Sequence, residues 1–369
     1  MTILLLCREQ DLGKEPAGYV RAFRRRDIRV VFLAEDTPAN ADLQELVARC
    51  PEPPQLILHP EQKFLPKGLH VSPFPTAILQ ADPYTYTHRR VRWAMLFDYV
   101  LLLHQGFEEV FRQAGHPRPL TLPHAVDAEY FTGPEEERTF EVSSVGSVDG
   151  KNYRMRRAVL GSLAQEFRMN DWVRAHSYEE LAAVYRKTKV IVNIGRDDYP
   201  VDVSLRFAEA MAAGALFVTL QPSELESLGF IKGEHFVGFH EREEIAPLVR
   251  HYLNDEPARR RITEAARERI LREHTYDIRA ETLLRSLGID AGKKFAPARQ
   301  WPEARAHLMY LDYFAAHRNL DCAASELRVI AGQSLRGAVQ GLALLARAFV
   351  RISLSSATQQ FGRARRDFK

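Results

Sequence analysis

The sequence predicts an α/β protein made of two domains built on parallel sheets, followed by a helical extension. Three observations predict it. Short apolar runs alternate with helical stretches through the first third of the chain. A polar loop, a small-residue helix and an apolar strand follow one another over residues 203–219. After residue 292 the composition turns to Ala, Leu and Arg with helical periodicity. At 369 residues the chain has room for two domains of ordinary size, each with its own core.

The apolar runs at residues 3–7, 30–33, 56–58, 77–79 and 99–103 are the expected strands of the first sheet. Ligands of open parallel sheets sit outside the carboxyl ends of the strands. Polar residues follow these runs, namely Arg8, Glu9, Glu35, Asp36, His59, Asp82 and His104, so an ionisable cleft edge is expected there. The Leu122-Pro-His-Ala-Val-Asp127 stretch reads as the passage to the second domain, and Gly133 to Arg138, rich in Pro and Glu, as a solvated linker.

The second domain is expected to open with a strand over 142–147 that ends in a turn at Gly146 and Ser147, followed by Lys151, Arg154, Arg156 and Arg157. Further strands are expected at 172–176, 190–194 and 215–219, with a helix over 178–186. Gly195, Arg196, Asp197 and Asp198 then lie at a strand's carboxyl end. Ser204 is expected to cap the next helix, leaving its first N–H groups and the positive end of its dipole for a phosphate. Glu209 falls one turn further in. Ala210, Ala212, Ala213 and Gly214 are small enough to let that helix lie close to the sheet.

Composition narrows the class. Lys and Arg number 51 against 48 Asp and Glu, a formal charge of +3, so no nucleic-acid partner is expected. Cys7, Cys50 and Cys322 show neither Cys-x-x-Cys nor Cys/His spacing, which argues against a disulfide framework or a zinc site and for a reducing cytoplasm. No signal peptide is expected at the start of the chain, and no apolar run is long enough to span a bilayer. Asp197-Asp198 invites a metal, but the sequence has no Asp-x-Asp triplet, and none is expected. The tail reads as helices over 303–317, 320–331 and 335–354. In the last, Arg336, Gln340, Arg347 and Arg351 share a sector of about 60°, leaving a broad apolar face. Packing on the first domain is the expected cover. The alternative is an anionic membrane, since residues 336–369 carry seven Lys or Arg against one Asp.

The 203–219 segment resembles the nucleotide-sugar-binding motif of the GT-B glycosyltransferases, of the group 1 or GT4-like kind. Arg206, just before Phe207 and Glu209, is closest to the CgeB-like branch. Three further stretches carry the resemblance: Pro123 to Asp127, the Val145-Gly146-Ser147 loop with Lys151 after it, and His274-Thr275-Tyr276 with Arg279. The resemblance covers most of residues 1 to about 287, strongest from Leu122 onward and weakest in the first hundred. The resemblance implies two Rossmann-like domains facing across a cleft: an acceptor domain over 1–126, a donor domain over 127–290 and a helical extension over 291–369. It implies that Glu209 holds the ribose hydroxyls and that Lys151 and Arg154 neutralise the diphosphate. Gly146, Ser147, Arg196, Asp202, Ser204 and Arg206 complete the donor site. The family's second acidic residue, eight positions before Glu209, is Val201 here, with Asp202 one residue out of register.

The implied reaction is glycosyl transfer from a nucleotide diphosphate sugar, with retention and without metal or other cofactor. The acceptor would be a saccharide, a lipid-linked saccharide or a protein. An inverting reaction would need a base on the first domain's edge, with Asp82 first and His88 or His104 behind it. A nucleotide-sugar epimerase and a non-catalytic nucleotide-binding or scaffold protein are the rival readings.

Overall fold

The computed structural model describes residues 1–133, 136–201, 204–289, 295–297 and 303–347. Asp202 and Arg351 fall outside the described residues. The first sheet has six parallel strands in the order β2-β1-β3-β4-β5-β6, with β1 at Thr2–Leu5, β2 at Arg29–Phe32, β3 at Leu56–His59, β4 at Thr76–Gln80, β5 at Tyr99–Leu102 and β6 at Pro119–Thr121. Strands β1, β3 and β4 are buried on both faces, which is why they read as unbroken apolar runs. Pro119, which lacks an N–H, stands at the start of the edge strand.

The second sheet has four parallel strands in the order β10-β9-β8-β7, with β7 at Phe140–Ser143, β8 at Thr188–Asn193, β9 at Leu216–Leu220 and β10 at Val237–Phe239. The strand expected over 172–176 does not form. Only Met169 bridges Val142. Asp171 then turns the chain by accepting from the backbone N–H groups of Val173 and Arg174, both at 3.3 Å. Ser177 and Glu180 form a capping box on the Tyr178–Arg186 helix. Turn and cap use up the residues a strand would need.

The chain crosses between the domains twice, and the two crossings touch. Val126 donates to the His274 carbonyl at 2.9 Å and accepts from Tyr276 at 3.1 Å. The Tyr276–Ser286 helix, assigned to the donor domain by sequence, puts Tyr276, Ala280, Leu283 and Leu284 into a first-domain core with Ile3, Leu5 and Phe23. It lies so close to the Lys14–Arg25 helix that a Cβ on Gly18 would sit 2.2 Å from the Tyr276 ring. Asp127, 1% exposed, is paired with Arg21 and Arg25 at this junction.

The helices Glu303–Ala316 and Leu320–Gln333 pack on the first domain. Met309, Tyr310, Tyr313, Phe314 and Cys322 share a core with Ile57, Leu69 and Phe97. Residues 335–347 are also helical. Leu345 packs against that core, whereas Leu335, Val339 and Leu342 are exposed at 82%, 61% and 57%. Among the described residues, no helix is long and apolar enough to cross a membrane.

Candidate functional site

The cleft runs along the carboxyl ends of both sheets. On the second domain, the loop after β7 is set by two arginines beneath it. Arg206 donates from Nε to the Val145 carbonyl at 2.9 Å and pairs with the Asn193 side chain. Arg156, 3% exposed, donates to the carbonyls of Ser147 at 2.6 Å and Ile194 at 2.8 Å. Gly146 has a φ of 137°, and a Cβ there would sit 3.0 Å from the Arg206 guanidinium. This loop therefore needs glycine, and Arg206 holds its shape.

The helix that follows is Arg206–Ala212, and its N-cap is Leu205, without a side-chain capping bond. Ser204 is not the cap. It stands one residue earlier in the left-handed region, at φ 47°, as part of the turn into the helix. Lys151 and Arg154 are exposed beyond the loop. Arg154 and Arg196 line a pocket of about 710 Å³ at the ends of β8, β9 and β10, together with Ile194, Leu220 and Phe239. Asp197 accepts from the backbone N–H groups of Arg154 at 3.2 Å and Met155 at 3.3 Å, so it caps the Arg154–Glu166 helix. Asp198 pairs with Arg196 at 2.8 Å. Among the described residues no group of three or more His, Cys, Asp or Glu is arranged to hold a metal ion.

Glu209 is 2% exposed, and its Oε1 is buried without a hydrogen-bond partner. Burial pushes its pKa up to about 7, against the pull of Lys14, Arg206 and His124, while Glu15 pushes it further up. Lys14, Glu15 and His124 come from the first domain, so Glu209 faces the cleft. A buried acceptor left unpaired costs about 1–3 kcal/mol, and ribose hydroxyls are the kind of donor that would satisfy it.

On the first domain, His104 follows β5, and its Nδ1 donates to Glu224 Oε2 of the second domain at 2.7 Å. The Tyr199 hydroxyl donates to the other carboxylate oxygen at 2.7 Å. Tyr199 stacks on Tyr84 with ring centroids 4.2 Å apart. His124 pairs with Glu15, whose second oxygen accepts from the Tyr276 hydroxyl at 2.7 Å. Asp82 accepts from the Tyr84 hydroxyl at 3.0 Å, and its carbonyl closes a turn with Thr85. His88 is turned away from this edge. It lines a groove of about 590 Å³ between the Thr87–Ala94 helix and the tail.

The structure thus gathers Gly146, Ser147, Arg206 and Glu209 in one corner, Arg154 and Arg196 in a pocket beside it, and His104 across the cleft. Sequence reasoning missed Lys14, Glu15, His124, Tyr199 and Glu224. It took Arg8 and Glu9 as the polar end of β1, but Arg8 bonds the Glu35 carbonyl and Glu9 pairs with Arg24 on the surface. Gly13, just before the Lys14–Arg25 helix, was the available signal for Glu15. Ser223 and Glu226, the capping box directly after β9, were the signal for Glu224.

Residues 137–285 match the sequence family described as glycosyl transferase-like. No curated protein matches the chain. Among solved structures, HepE from Anabaena in complex with UDP and glucose aligns with a TM-score of 0.55 at 15% identity, over 78% of this chain and all of that one. Sucrose-phosphate synthase from Thermosynechococcus elongatus aligns with a TM-score of 0.55 at 14% identity, over 79% of this chain and all of that one. WaaG, a glycosyltransferase involved in lipopolysaccharide biosynthesis, aligns with a TM-score of 0.51 at 12% identity, over 78% of this chain and all of that one. The architecture is the GT-B fold of these glycosyltransferases, and the sequence match falls on the domain that holds Gly146, Arg206 and Glu209.

Proposed function

We propose that the protein is a glycosyltransferase that moves a sugar from a nucleoside diphosphate sugar to an acceptor bound by the first domain. The observation that carries this reading is Glu209, a buried carboxylate with an unpaired oxygen, facing the cleft within the family-matched domain. Glu209 accepts from the ribose hydroxyls. The Gly146 loop admits the diphosphate, and Lys151, Arg154 and Arg196 supply positive charge to the leaving group. Charge from side chains makes a metal dispensable, and Asp197 and Asp198 are already engaged by backbone and by Arg196. Retention rests on the group 1 resemblance alone, and the CgeB-like placement on Arg206 just before Phe207 and Glu209.

The cytoplasm is the proposed location, and the acceptor is a saccharide, a lipid-linked saccharide or a protein. The exposed Leu335, Val339 and Leu342 beside Arg336 support accessory contact with an anionic membrane. The purified protein incubated with a panel of nucleotide sugars should release the nucleoside diphosphate. Nucleotide binding without turnover would instead support a non-catalytic module, and conversion of the donor sugar to its epimer would support an epimerase.

A further inference from the structure

At the amino ends of the second sheet, on the side away from the cleft, a cavity of about 730 Å³ lies between the Glu256–Glu273 helix and the starts of β7, β8 and β9. Seven Lys or Arg and four Glu line it, so one hollow holds a surplus of positive charge as large as the +3 of the whole chain. Three of the four carboxylates are already taken: Glu136 by Arg186 at 2.7 Å, Glu264 by Arg260 at 3.5 Å and Glu256 by Arg259 at 3.9 Å. Arg138, Arg168, Lys189 and Arg267 remain, with only Glu137 among them. Arg138 is the fixed member, donating to the carbonyls of Thr188 and, at 3.1 Å, of Ala213. The side chains of Arg168, Lys189 and Arg267 make no hydrogen bond or ion pair with a described residue, and the Nε of Arg267 is buried. Gly214 lets two of these arginines share one bare stretch of backbone. A Cβ there would sit 2.9 Å from the Arg138 guanidinium and 3.9 Å from Arg267 Cδ.

Like charges gathered in a hollow repel one another, and a buried N–H left unpaired is costly. A phosphate answers both, because its oxygens accept the paired N–H groups of a guanidinium and its charge offsets the surplus. We propose that this cavity is a second binding site, for a compact anion carrying two or more phosphate groups, held by Arg138, Arg168, Lys189 and Arg267. The volume is larger than one phosphate needs, and helix and strand ends bound it, which suits a small free anion rather than a polymer. The donor corner lies at the other end of the same strands, so this occupant is distinct from the diphosphate at Gly146. The site stands whether or not the cleft transfers sugar.

The probe is inorganic pyrophosphate, titrated into the full chain by calorimetry in about 0.15 M NaCl, with hydrogen exchange to locate it. Binding should saturate and protect residues 186–189, 213–214 and 259–267. Lys189→Gln/Arg267→Gln should weaken this binding about tenfold or more and abolish that protection. Lys151→Gln/Arg154→Gln, at the cleft, should keep both. Should the first variant fail to fold by circular dichroism, Arg168→Gln, whose side chain is exposed, should still weaken binding about threefold or more. Vesicles carrying phosphatidic acid should leave the three segments unprotected. Unchanged affinity in the variants of this cavity, protection confined to the segments around Gly146 and Lys151, or an effect that NaCl reproduces at equal ionic strength would overturn the proposal. Protection by vesicles with none by pyrophosphate would overturn it as well.

Discussion

The two sides of the cleft are built in opposite ways. The proposed donor corner comes mostly from two short stretches of chain, Val145–Ser147 and Arg206–Glu209, joined by one arginine. The facing edge is assembled from the helix start at Lys14, the ends of β4 and β5, the 123–127 passage and Tyr276. The first domain's cores are likewise completed from far along the chain, by Tyr276 and Leu283 in one and by Tyr310 and Phe314 in the other. A local corner survives in the sequence as a motif, whereas an edge made of distant residues leaves none.

The largest expected effect falls on the first domain. Phe314→Ala should cost about 3–5 kcal/mol, because a ring 1% exposed in that core leaves a cavity. Urea unfolding followed by domain-specific probes should show the first domain melting early while the second keeps its midpoint. A single transition shifted as a whole would show that the two domains share one cooperative unit.

Glu209→Gln sharpens the other side. Glu209 has its pKa raised by burial to about 7, so between the ordinary carboxylate value and 7 the folded protein holds a proton that the unfolded chain has lost. Stability from this group is therefore lost as pH rises through that window, by up to about 3 kcal/mol. Removing the charge should make Glu209→Gln more stable than wild type above pH 7 and leave the two equal near pH 4.5. Thermal melts across that range check the sign.

Gly146→Ala should cost about 1–3 kcal/mol, since it forces a residue with a Cβ to φ 137° against Arg206. Donor affinity should fall as well, because the loop and the arginine under it move together. The smallest expected effect is none: EDTA should leave turnover intact, and a complete loss reversed by Mg²⁺ would place Asp198 at a metal.

Much of the architecture was legible because buried parallel strands write themselves as apolar runs, as at residues 56–58 and 190–194. What was not legible depended on competition between local signals and neighbours. The 172–176 run has apolar residues, but Asp171 and the Ser177 cap claim its ends. Ser204 has the chemistry of a cap, yet the turn places Leu205 there. Arg206 was legible as a motif residue while its hydrogen bond to the Val145 carbonyl, which supports the Gly146 loop, was not, since that contact spans 61 positions. Glu224 and His104 are 120 positions apart, and nothing local in either predicts the other.

The most direct test of the account is calorimetric titration of wild type and Glu209→Ala with a panel of nucleoside diphosphates. One or more should bind the wild type, and Glu209→Ala should weaken binding by about 1.5–3 kcal/mol, with the fold intact by circular dichroism. Equal affinity in the two proteins would remove Glu209 from the donor site and contradict the central claim.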